Sequence, residues 1–448
     1  MSGPEKHSSQ FSLLANRRFL PFFLTQYLGA FNDNIYKNAL MGMVTYGVLQ
    51  ASLDLNQMNN LGALLFILPF FLFSALAGQL ADKYDKAWLM RRIKLAEIAI
   101  MSAGAAAFFF EHTWGLMILL FLMGSQSAFF GPAKYGIIPQ HLKDEELVGG
   151  NALIETGTFL AILTGTMTAG VISTTENSIL LTSLFVLALS VAGYLASRQI
   201  PPAPSSNPDL KIDFNPITSS WYTLGFARRN PSVFIGTLAI AWFWFIGAAN
   251  LTQLFVFTKD YLYGDQSVVT LLLTMFSVGI AVGSLMCNRL SGGRLELGLV
   301  PLGAIGLTLA GIDLYFYPLP THGTELISVG EFMAAPSSWK IVADFLVLGA
   351  CGGFYIVPVF TMVQKRGEAA HLSRIIAAGA ILSALAMVGS AIFGLVIIST
   401  LHWTIPEFFL LLALINAVVC LLLFRAMPEM WHRFLIWSRL RPGYHPAE

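Results

Sequence analysis

The hydrophobic residues of this chain are gathered into long apolar runs separated by short polar segments. A bilayer core about 30 Å thick is crossed by a helix of about 20 apolar residues. Runs of this length recur twelve times, near residues 19–48, 60–81, 93–111, 114–136, 150–173, 178–198, 231–257, 267–289, 297–317, 340–363, 374–400 and 405–426. The pattern predicts an all-α membrane protein with twelve transmembrane helices.

A polar stretch rich in proline divides the runs into six and six. It covers residues 199–230 and contains Pro201, Pro202, Pro204, Pro208 and Pro216 together with several serines. Such a composition is typical of a surface connector and excludes a span. We therefore expect an N-terminal six-helix bundle, a cytoplasmic linker, a C-terminal six-helix bundle and an interfacial tail, at residues 1–198, 199–230, 231–427 and 428–448, with residues 1–16 forming a cytoplasmic tail.

The two halves resemble each other at corresponding runs. Runs two and eight end near a glycine, and runs four and ten carry a glycine, then two aromatic residues, then a proline: Gly78 with Gly283, and Gly124, Phe129, Phe130 and Pro132 with Gly349, Phe354, Tyr355 and Pro358. A duplication of six helices, with a binding site at the midplane, is an arrangement found in many transporters.

The composition excludes several other functional classes. Hydrophobic residues make up 56% of the chain and charged residues 11%, whereas a soluble domain carries about 25% charged residues. The net charge of +1 provides no field that would recruit nucleic acid. The three cysteines show neither metal-ligand spacing nor a disulfide pairing. We expect no cofactor, no metal and no nucleic-acid partner.

Lysine and arginine residues concentrate at one set of run ends. With the N-terminus inside, only Lys37, Lys259 and Lys340 of the 26 basic residues fall elsewhere, so Lys94 is counted on the inner side. Because cytoplasmic loops carry an excess of positive charge, both termini are predicted to be cytoplasmic. The aromatic and arginine residues after Pro428 predict a short helix on the inner surface.

The segment between runs two and three resembles the loop signature of the major facilitator superfamily. It reads Gly78-Gln-Leu-Ala-Asp82-Lys83-Tyr84-Asp85-Lys86, with Arg91 beyond it, and has Asp85 where the superfamily has a second glycine. Gly78 permits close helix approach, and Asp82 can pair with a basic group across a closure. We predict a gate containing Gly78, Asp82, Lys86 and Arg91; the alternative is an ordinary positively charged loop.

Further segments resemble the bacterial lysophospholipid transporter family, especially the form fused to an acyltransferase. The resemblance runs from about Leu14 to Trp437, and its most specific segments are Gln26-Tyr-Leu-Gly-Ala-Phe-Asn-Asp-Asn34 and Pro132-Ala-Lys-Tyr-Gly136. It implies the major facilitator fold and transport of lysophospholipids, chiefly lysophosphatidylethanolamine, from the outer to the inner leaflet of the bacterial inner membrane. It also implies reacylation there, with an acyltransferase at the cytoplasmic face and membrane lipids as partners.

Charged residues within the apolar runs are candidates for substrate binding, because such residues are costly in a membrane. Asp33 and Lys37 are four residues apart on one helical face, so Asp33 can bind a headgroup ammonium and Lys37 a phosphate. The alternative is an internal ion pair that orders the first helix. Further candidates for substrate binding are Gln26, Asn34, Tyr36, Lys134, Glu155, Asn250 and Gln253.

Two of the remaining polar and aromatic features have structural alternatives, and a third has a single expectation. Lys134 and Glu155 can bind phosphate or form a structural pair that breaks on opening. The cluster Trp242-Phe-Trp-Phe245 can form a wall for an acyl chain or ordinary packed surface. Arg374 is expected to extend to the headgroups at the membrane surface.

Three functional hypotheses compete. The first is a lysophospholipid transporter, and the second is a proton-coupled transporter of another small solute on the same scaffold. The third, a membrane acyltransferase, lacks the His-x4-Asp pair of such enzymes, because His141 and His402 are each followed five residues later by a glutamate. A phosphate-binding glycine-rich loop is also missing, which argues against an ATP-driven pump. We therefore expect a transporter rather than an enzyme.

Overall fold

The computed structural model describes residues 9–45, 47–50, 55–317 and 326–438. Regular structure in these residues is helical, apart from one isolated bridge between Gly264 and Ile327. The fifteen α-helices of these residues are α1 (Leu20–Thr45), α2 (Leu55–Lys83), α3 (Lys86–Phe109), α4 (Thr113–His141), α5 (Leu147–Ser173), α6 (Ser178–Ser197), α7 (Pro216–Arg228), α8 (Pro231–Val256), α9 (Gln266–Leu290), α10 (Leu299–Tyr315), α11 (Val329–Ala334), α12 (Ser338–Arg366), α13 (Leu372–Gly394), α14 (Ile405–Ala426) and α15 (Pro428–Trp437).

Twelve of these helices coincide with the twelve predicted runs, namely α1–α6, α8–α10 and α12–α14. Nine described helical segments are long and apolar enough to cross a bilayer by composition alone. The other three are α1, which carries Asp33 and Lys37, α3, which carries several charged side chains, and α10, which has 17 residues. The all-α prediction is confirmed.

Three shorter helices lie outside the apolar runs. The tail helix α15 was predicted, and the indole of Trp437 donates to the carbonyl of Leu290 at 3.2 Å; residues 439–448 of the predicted tail lie outside the described residues. The linker, predicted only as a connector, contains α7. Asn215 caps α7 by accepting from the backbone N–H of Ile217 at 3.0 Å, and Pro216 occupies its first position, where proline is favoured.

The first compact unit comprises Met1–Gly150, Leu160–Pro231 and Gln364–Ala384, within the described residues. Its hydrophobic core is built on α1, α3 and α4 and includes Tyr36, Met101 and Leu120. The unit therefore contains the linker with α7 and also the first half of α13, which belongs to the second half of the chain. The predicted division into bundles at residues 199–230 remains a prediction.

The second compact unit comprises Asn151–Phe159, Ser232–Val363 and Leu385–Glu448, within the described residues. Its helices α9 and α12 meet along a glycine seam formed by Gly279, Gly283, Gly349 and Gly353. A β-carbon on any of these four would overlap the backbone of the facing helix, so only glycine permits this approach.

The corresponding helix pair of the first unit also crosses at a glycine. A β-carbon on Gly124 of α4 would meet the carbonyl oxygen of Phe66 in α2 at 2.5 Å. In the first unit, the helices of runs two and four therefore meet at Gly124. In the second unit, the helices of runs eight and ten meet at Gly283 and Gly349. All three glycines belong to the pattern noted in the sequence. Pro132 and Pro358, the prolines of that pattern, both lie inside helices.

Candidate functional site

Asp33 lies at the middle of α1 and is buried against α4. Its carboxylate accepts a hydrogen bond from the hydroxyl of Ser127 at 2.5 Å and a longer one from the amide of Gln126 at 3.4 Å. Both partners belong to α4, and neither was singled out from the sequence. The two hydrogen bonds replace part of the hydration that a carboxylate loses inside an apolar helix bundle.

A second buried acid lies on α3. Glu97 accepts from the ammonium of Lys94 at 2.5 Å and from the amide of Asn32 at 2.9 Å. All three side chains are buried. Counting Lys94 among the residues of the inner surface was wrong, because this lysine points into the unit and pairs within it. A buried pair of this kind is stabilised by its geometry and by its additional hydrogen bond, here from Asn32.

The two acids and two lysines form one electrostatic group, which we call the polar cluster: Asp33, Lys37, Lys94 and Glu97. Asp33 interacts with the charges of Glu97, Lys94 and Lys37. The cluster has two groups of each sign, so it is neutral when all four are ionised. Asp33, Glu97 and Ser127 each lie at or next to the midpoint of their helices, α1, α3 and α4. Charged groups at this depth are rare in membrane helices and usually functional.

Lys37 is the partly exposed member of the polar cluster. Its ammonium lies 5.3 Å from the centroid of the Phe66 ring, in a cation–π arrangement. The i, i+4 relationship on α1 was predicted from the sequence, and the second pair of the cluster was not.

Other polar residues of α1 have structural partners. The amide of Asn34 donates to the carbonyl of Ala30 at 2.8 Å, and Gln26 is buried. Tyr36 lies in the hydrophobic core, where its hydroxyl donates to the carbonyl of Leu116 at 2.9 Å and its ring packs edge-on against Phe108. Tyr36 is therefore placed to hold α1 against α4 and lies outside the polar cluster.

The remaining substrate-binding candidates lie elsewhere. Lys134 is buried in the first unit, with its ammonium 5.0 Å from the ring centroid of Tyr135. Glu155 is buried in the second unit. Asn250 donates to the carbonyl of Ile246 at 3.0 Å, and Gln253 faces Gly394 of α13. Of these four residues, Lys134 belongs to the first unit, as the residues around Asp33 do, and the other three belong to the second unit.

Asp82 lies in the last turn of α2, next to the α2–α3 loop, and its side chain caps the N-terminus of α13. One carboxylate oxygen accepts from the backbone N–H of Ser373 at 3.0 Å, and the other accepts from Nε of Arg374 at 2.9 Å. Both side chains of the ion pair are almost fully buried. A carboxylate at a helix N-terminus is favoured by the partial positive charge of the unpaired N–H groups there.

The expectation that Arg374 extends to the membrane surface was wrong. Its guanidinium donates to the carbonyl of Ala370 at 3.2 Å and is 2.5 Å from Nδ1 of His371. It also stacks on the ring of Phe226 in α7, 4.3 Å from the centroid. The buried carboxylate of Asp82 and the aromatic face of Phe226 together replace the hydration that the guanidinium would find at the surface.

Gly78 provides the close approach that this ion pair requires. A β-carbon at Gly78 would lie 2.8 Å from the β-carbon of Ala377 and 3.0 Å from the Cα of Arg374. Both atoms belong to α13, so α2 and α13 approach at this glycine, one helical turn before Asp82. Gly78 was predicted to permit close helix approach, and the helix it approaches is α13.

The rest of the loop signature binds the linker. The side chain of Gln79 both donates to and accepts from the backbone of Asp213, at 3.1 and 2.8 Å. Lys83 donates to the carbonyl of Leu210 at 2.8 Å, Asp85 accepts from the N–H of Ala203 at 2.7 Å, and Lys86 donates to the hydroxyl of Ser206 at 3.1 Å. The linker is thus held in place by the signature, while Arg91 lies half-buried farther along α3.

An apolar groove lies on the second unit. It has a volume of about 420 Å³ and is lined by α8, α13 and α14, including Trp242, Phe245 and Leu422. The indole of Trp242 donates to Asn416 at 2.9 Å, which fixes one wall. Two of the four aromatic residues of the predicted cluster therefore line a groove.

Sequence reasoning missed Glu97, Lys94, Gln126, Ser127 and Arg374 as members of these sites. Glu97 offered a usable signal, because it is an acid inside an apolar run and lies three residues after Lys94, a spacing that puts both on one helical face. Ser127 and Gln126 offered none, since small neutral polar residues are common in membrane helices.

Comparison with known proteins identifies the superfamily and its near relatives. The profile of the Major Facilitator Superfamily matches residues 10–344. The lysophospholipid transporter LplT of Enterobacter sp. (strain 638) is 27% identical over 347 residues, covering 77% of this chain and 79% of that protein. Its counterpart from Klebsiella pneumoniae subsp. pneumoniae is 28% identical over 363 residues, covering 79% and 82%. The resemblance found in the sequence is confirmed.

Solved structures share the fold at low sequence identity. A bacterial homologue of the iron transporter ferroportin aligns with a TM-score of 0.66 and 14% identity, covering 94% of this chain and 99% of that one. The proton:xylose symporter XylE aligns with a TM-score of 0.68 and 12% identity, covering 93% and 95%. The twelve helices that coincide with the apolar runs in the described residues agree with the matching profile: this chain is a multi-pass membrane transporter and belongs to the major facilitator superfamily.

Proposed function

We propose that this protein moves lysophospholipids, chiefly lysophosphatidylethanolamine, from the outer to the inner leaflet of the bacterial inner membrane by alternating access, for reacylation there. The observation that carries the proposal is the polar cluster, in which two acids and two lysines lie at the middle of an apolar helix bundle. The relatives named lysophospholipid transporter support the class of substrate.

The chemistry of the cluster fits a zwitterionic headgroup. Lysophosphatidylethanolamine carries a phosphate anion and an ammonium cation a few bonds apart, so its site needs both signs of charge close together. We assign the headgroup ammonium to Asp33 and the phosphate to Lys37. Lys37 is the partly exposed lysine of the cluster, and its ammonium lies over the face of Phe66. The pair of Lys94 with Glu97 then keeps the surroundings neutral before the headgroup arrives.

The other candidates belong to the path of the substrate rather than to this cluster. Gln26 and Asn34 lie on α1 with Asp33, and Lys134, Glu155, Asn250 and Gln253 are assigned to later contacts with the headgroup or to gating. Tyr36 is given no substrate contact, because it belongs to the core. The apolar groove beside Trp242 is suited to an acyl chain, since apolar side chains line it.

The gate of the alternating-access cycle is assigned to α2 and α13. The ion pair of Asp82 with Arg374 and the approach at Gly78 must both separate when the loop side opens. Lys86, Arg91 and the linker contacts would then set how easily this side opens. Separating a buried ion pair costs free energy, so substrate binding must offset that free-energy cost during transport.

The proposed location follows from the charge pattern and the relatives. We place both termini, the linker and the α2–α3 loop on the cytoplasmic side of the inner membrane. The lysolipid delivered there is a substrate for an acyltransferase, which we propose as a partner at that face.

The test is a leaflet assay with the purified protein in liposomes. Fluorescent lysophosphatidylethanolamine is added to one leaflet, and its arrival in the other is measured by protection from a membrane-impermeant quencher. We expect protein-dependent movement that Asp33→Ala abolishes and Ser125→Ala preserves, because the Ser125 hydroxyl donates to its own helix at Phe121. Normal movement in Asp33→Ala would refute the headgroup assignment.

A second candidate function is proton-coupled transport of another solute. Two buried carboxylates in one cluster, Asp33 and Glu97, favour it, because a buried acid can carry a proton across a conformational change. Uptake of a water-soluble solute driven by a pH gradient, without lysolipid movement, would select this alternative.

A further inference from the structure

The linker helix α7 turns three large apolar residues away from the protein. Ile217 is 80% exposed, Trp221 68% and Tyr222 67%, and Phe214 just before the helix is 75% exposed. At 100° per residue the three helical positions, 217, 221 and 222, fall on one side of the helix. The opposite side consists of Ser219, Thr223 and Ala227, which are buried in the unit. In α7, therefore, Ser219, Thr223 and Ala227 face the protein, and Ile217, Trp221 and Tyr222 face outward.

The position of α7 indicates what covers this face. The helix ends at Arg228, and α8, which is long and apolar enough to span a bilayer, begins at Pro231, so the C-terminal end of α7 adjoins the expected membrane boundary. Tryptophan and tyrosine favour this boundary, where a ring can be buried among lipid while its polar atom reaches water. Water is a poor alternative, because contact between apolar surface and water is unfavourable.

Basic residues border the aromatic face. The guanidinium of Arg228 lies 5.7 Å from the ring centroid of Trp221. Lys211 is exposed before the helix, and Arg229 is exposed after it and lies 4.0 Å from the carboxylate of Glu368. A helix with aromatic residues on one face and lysine or arginine along its edge matches the composition of helices that lie in the plane of an anionic membrane surface. Charge complementarity therefore favours a lipid surface over a neutral protein partner.

One side chain of α7 connects this surface to the ion pair of α2 and α13. Phe226 stacks on the guanidinium of Arg374 at 4.3 Å and on the ring of His371 at 4.4 Å. Arg374 in turn donates to Asp82. A shift of α7 would remove the aromatic face from the buried guanidinium.

We propose that α7 is an interfacial membrane helix, that it docks on anionic lipid through Ile217, Trp221 and Tyr222, and that the docked helix holds Arg374 in its pair with Asp82 through Phe226. The proposal holds whichever solute the protein moves.

Spin labels test the docking. Cysteines at Ile217 and Trp221 are labelled in the full chain in proteoliposomes of phosphatidylethanolamine and phosphatidylglycerol, with Glu145→Cys, on the exposed α4–α5 loop, as the matched control. The native cysteines are buried, and the unsubstituted protein gives the background. We expect greater collision with oxygen than with a water-soluble nickel reagent at 217 and 221, and the reverse at 145. Water-like values at 217 and 221, or spin–spin broadening from a second copy, would overturn the docking.

A thermal shift tests the lipid preference and the connection. The melting temperature in nanodiscs is expected to rise by several degrees when phosphatidylglycerol is added. We expect the triple variant of Lys211, Arg228 and Arg229 to glutamine to lose this rise, and Arg425→Gln, at the end of α14, to keep it. Phe226→Ala should lose the rise while its label at 217 stays in lipid. Retention of the rise in Phe226→Ala would refute the connection, and retention in the triple variant would refute the preference for anionic lipid.

Discussion

The two oxygens of Asp82 hold the first turn of α13 at two adjacent residues. One accepts from the N–H of Ser373 and the other from Nε of Arg374, at 3.0 and 2.9 Å. A single carboxylate therefore satisfies a helix N-terminus and a buried guanidinium at once. Its loss would leave both donors unpaired in a region that excludes water.

Replacing Asp82 by asparagine should destabilise the protein and slow transport. The variant leaves the buried charge of Arg374 without a counter-charge, which costs about 3–5 kcal/mol for a buried pair. We expect a melting temperature several degrees lower and lysolipid movement reduced about tenfold. The matched control is Asp85→Asn in the same loop, which affects the α3 cap and the linker but not Arg374. Equal effects of the two substitutions would contradict the special role of Asp82.

Gly78→Ala should be harmful although alanine is the better helix former. The new methyl group would press on Ala377 at 2.8 Å and on the backbone of α13, so the helices must separate. Gly170 on α5 has open space at the same atom, and Gly170→Ala should stabilise its helix by up to about 1 kcal/mol. Thermal melting of the two variants tests the difference in sign. A stabilising Gly78→Ala would show that α2 and α13 have room to spare.

The hydrogen bond from Ser127 to Asp33 should support the charge of Asp33. Ser127→Ala removes the nearer of the two donors and leaves only the longer bond from Gln126. We expect a loss of stability of about 1–3 kcal/mol and reduced lysolipid movement, smaller than that of Asp33→Ala. Binding titrations with short-chain lysolipid should show weaker affinity. The neighbouring Ser125→Ala, expected to be silent, controls for loss of a serine from α4.

The pair of Lys94 and Glu97 should show strong energetic coupling. Each single variant, Lys94→Met or Glu97→Gln, leaves one buried charge unpaired and should cost about 3–5 kcal/mol. The double variant leaves no unpaired charge, so it should be more stable than the sum of the single effects implies. A double-mutant cycle on thermal stability measures the coupling, and strict additivity would argue that the two side chains do not interact.

Glu296 should make the stability of the protein depend on pH. Burial raises its pKa above the ordinary value of 4.5, against the opposing hydrogen bond from the N–H of Gly298 and the charge of Arg433. The folded state therefore binds this proton more readily than the unfolded state does. The contribution of Glu296 to stability is fully present below 4.5 and is lost as the pH rises through the raised pKa.

Glu296→Gln removes this dependence. We expect the variant to melt at a higher temperature than the parent at pH 7 and at nearly the same temperature near pH 4. The measurement is a pair of melting curves at each pH in one detergent. A variant that is less stable at pH 7 would mean that the ion pair with Arg433 outweighs the burial of Glu296.

The sequence predicted the helices well, because each is a long apolar run with a fixed length requirement. It also located Asp33, a charge inside such a run. It failed where partners come from other helices: nothing in the order of residues pairs Asp82 with Arg374, which lies 292 positions later. Lys94 was misjudged because it stands next to the start of an apolar run, where a basic residue ordinarily faces the cytoplasm.

The linker shows a different reason for failure. Its prolines indicated a connector, and the short helix between them was overlooked although Asn215 and Pro216 form a recognisable helix start. The apolar residues of α7 did not indicate a helix either, because the search was for apolar runs long enough to span a membrane and this helix has 13 residues. Apart from the Ser206 hydroxyl, the linker contacts the loop signature through backbone atoms in these hydrogen bonds, and backbone atoms leave no mark in the sequence.

The glycine seam of the second unit has a mechanical consequence. Where backbone meets backbone at Gly279, Gly283, Gly349 and Gly353, no side chain is available to change rotamer and absorb a displacement. Two helices joined in this way should move together as one rigid body. Bending in this unit is then expected away from the seam, at the two π-helical segments Phe257–Tyr261 and Leu395–Thr400. There the α-helical i→i−4 hydrogen bonds are replaced by the wider π-helical pattern.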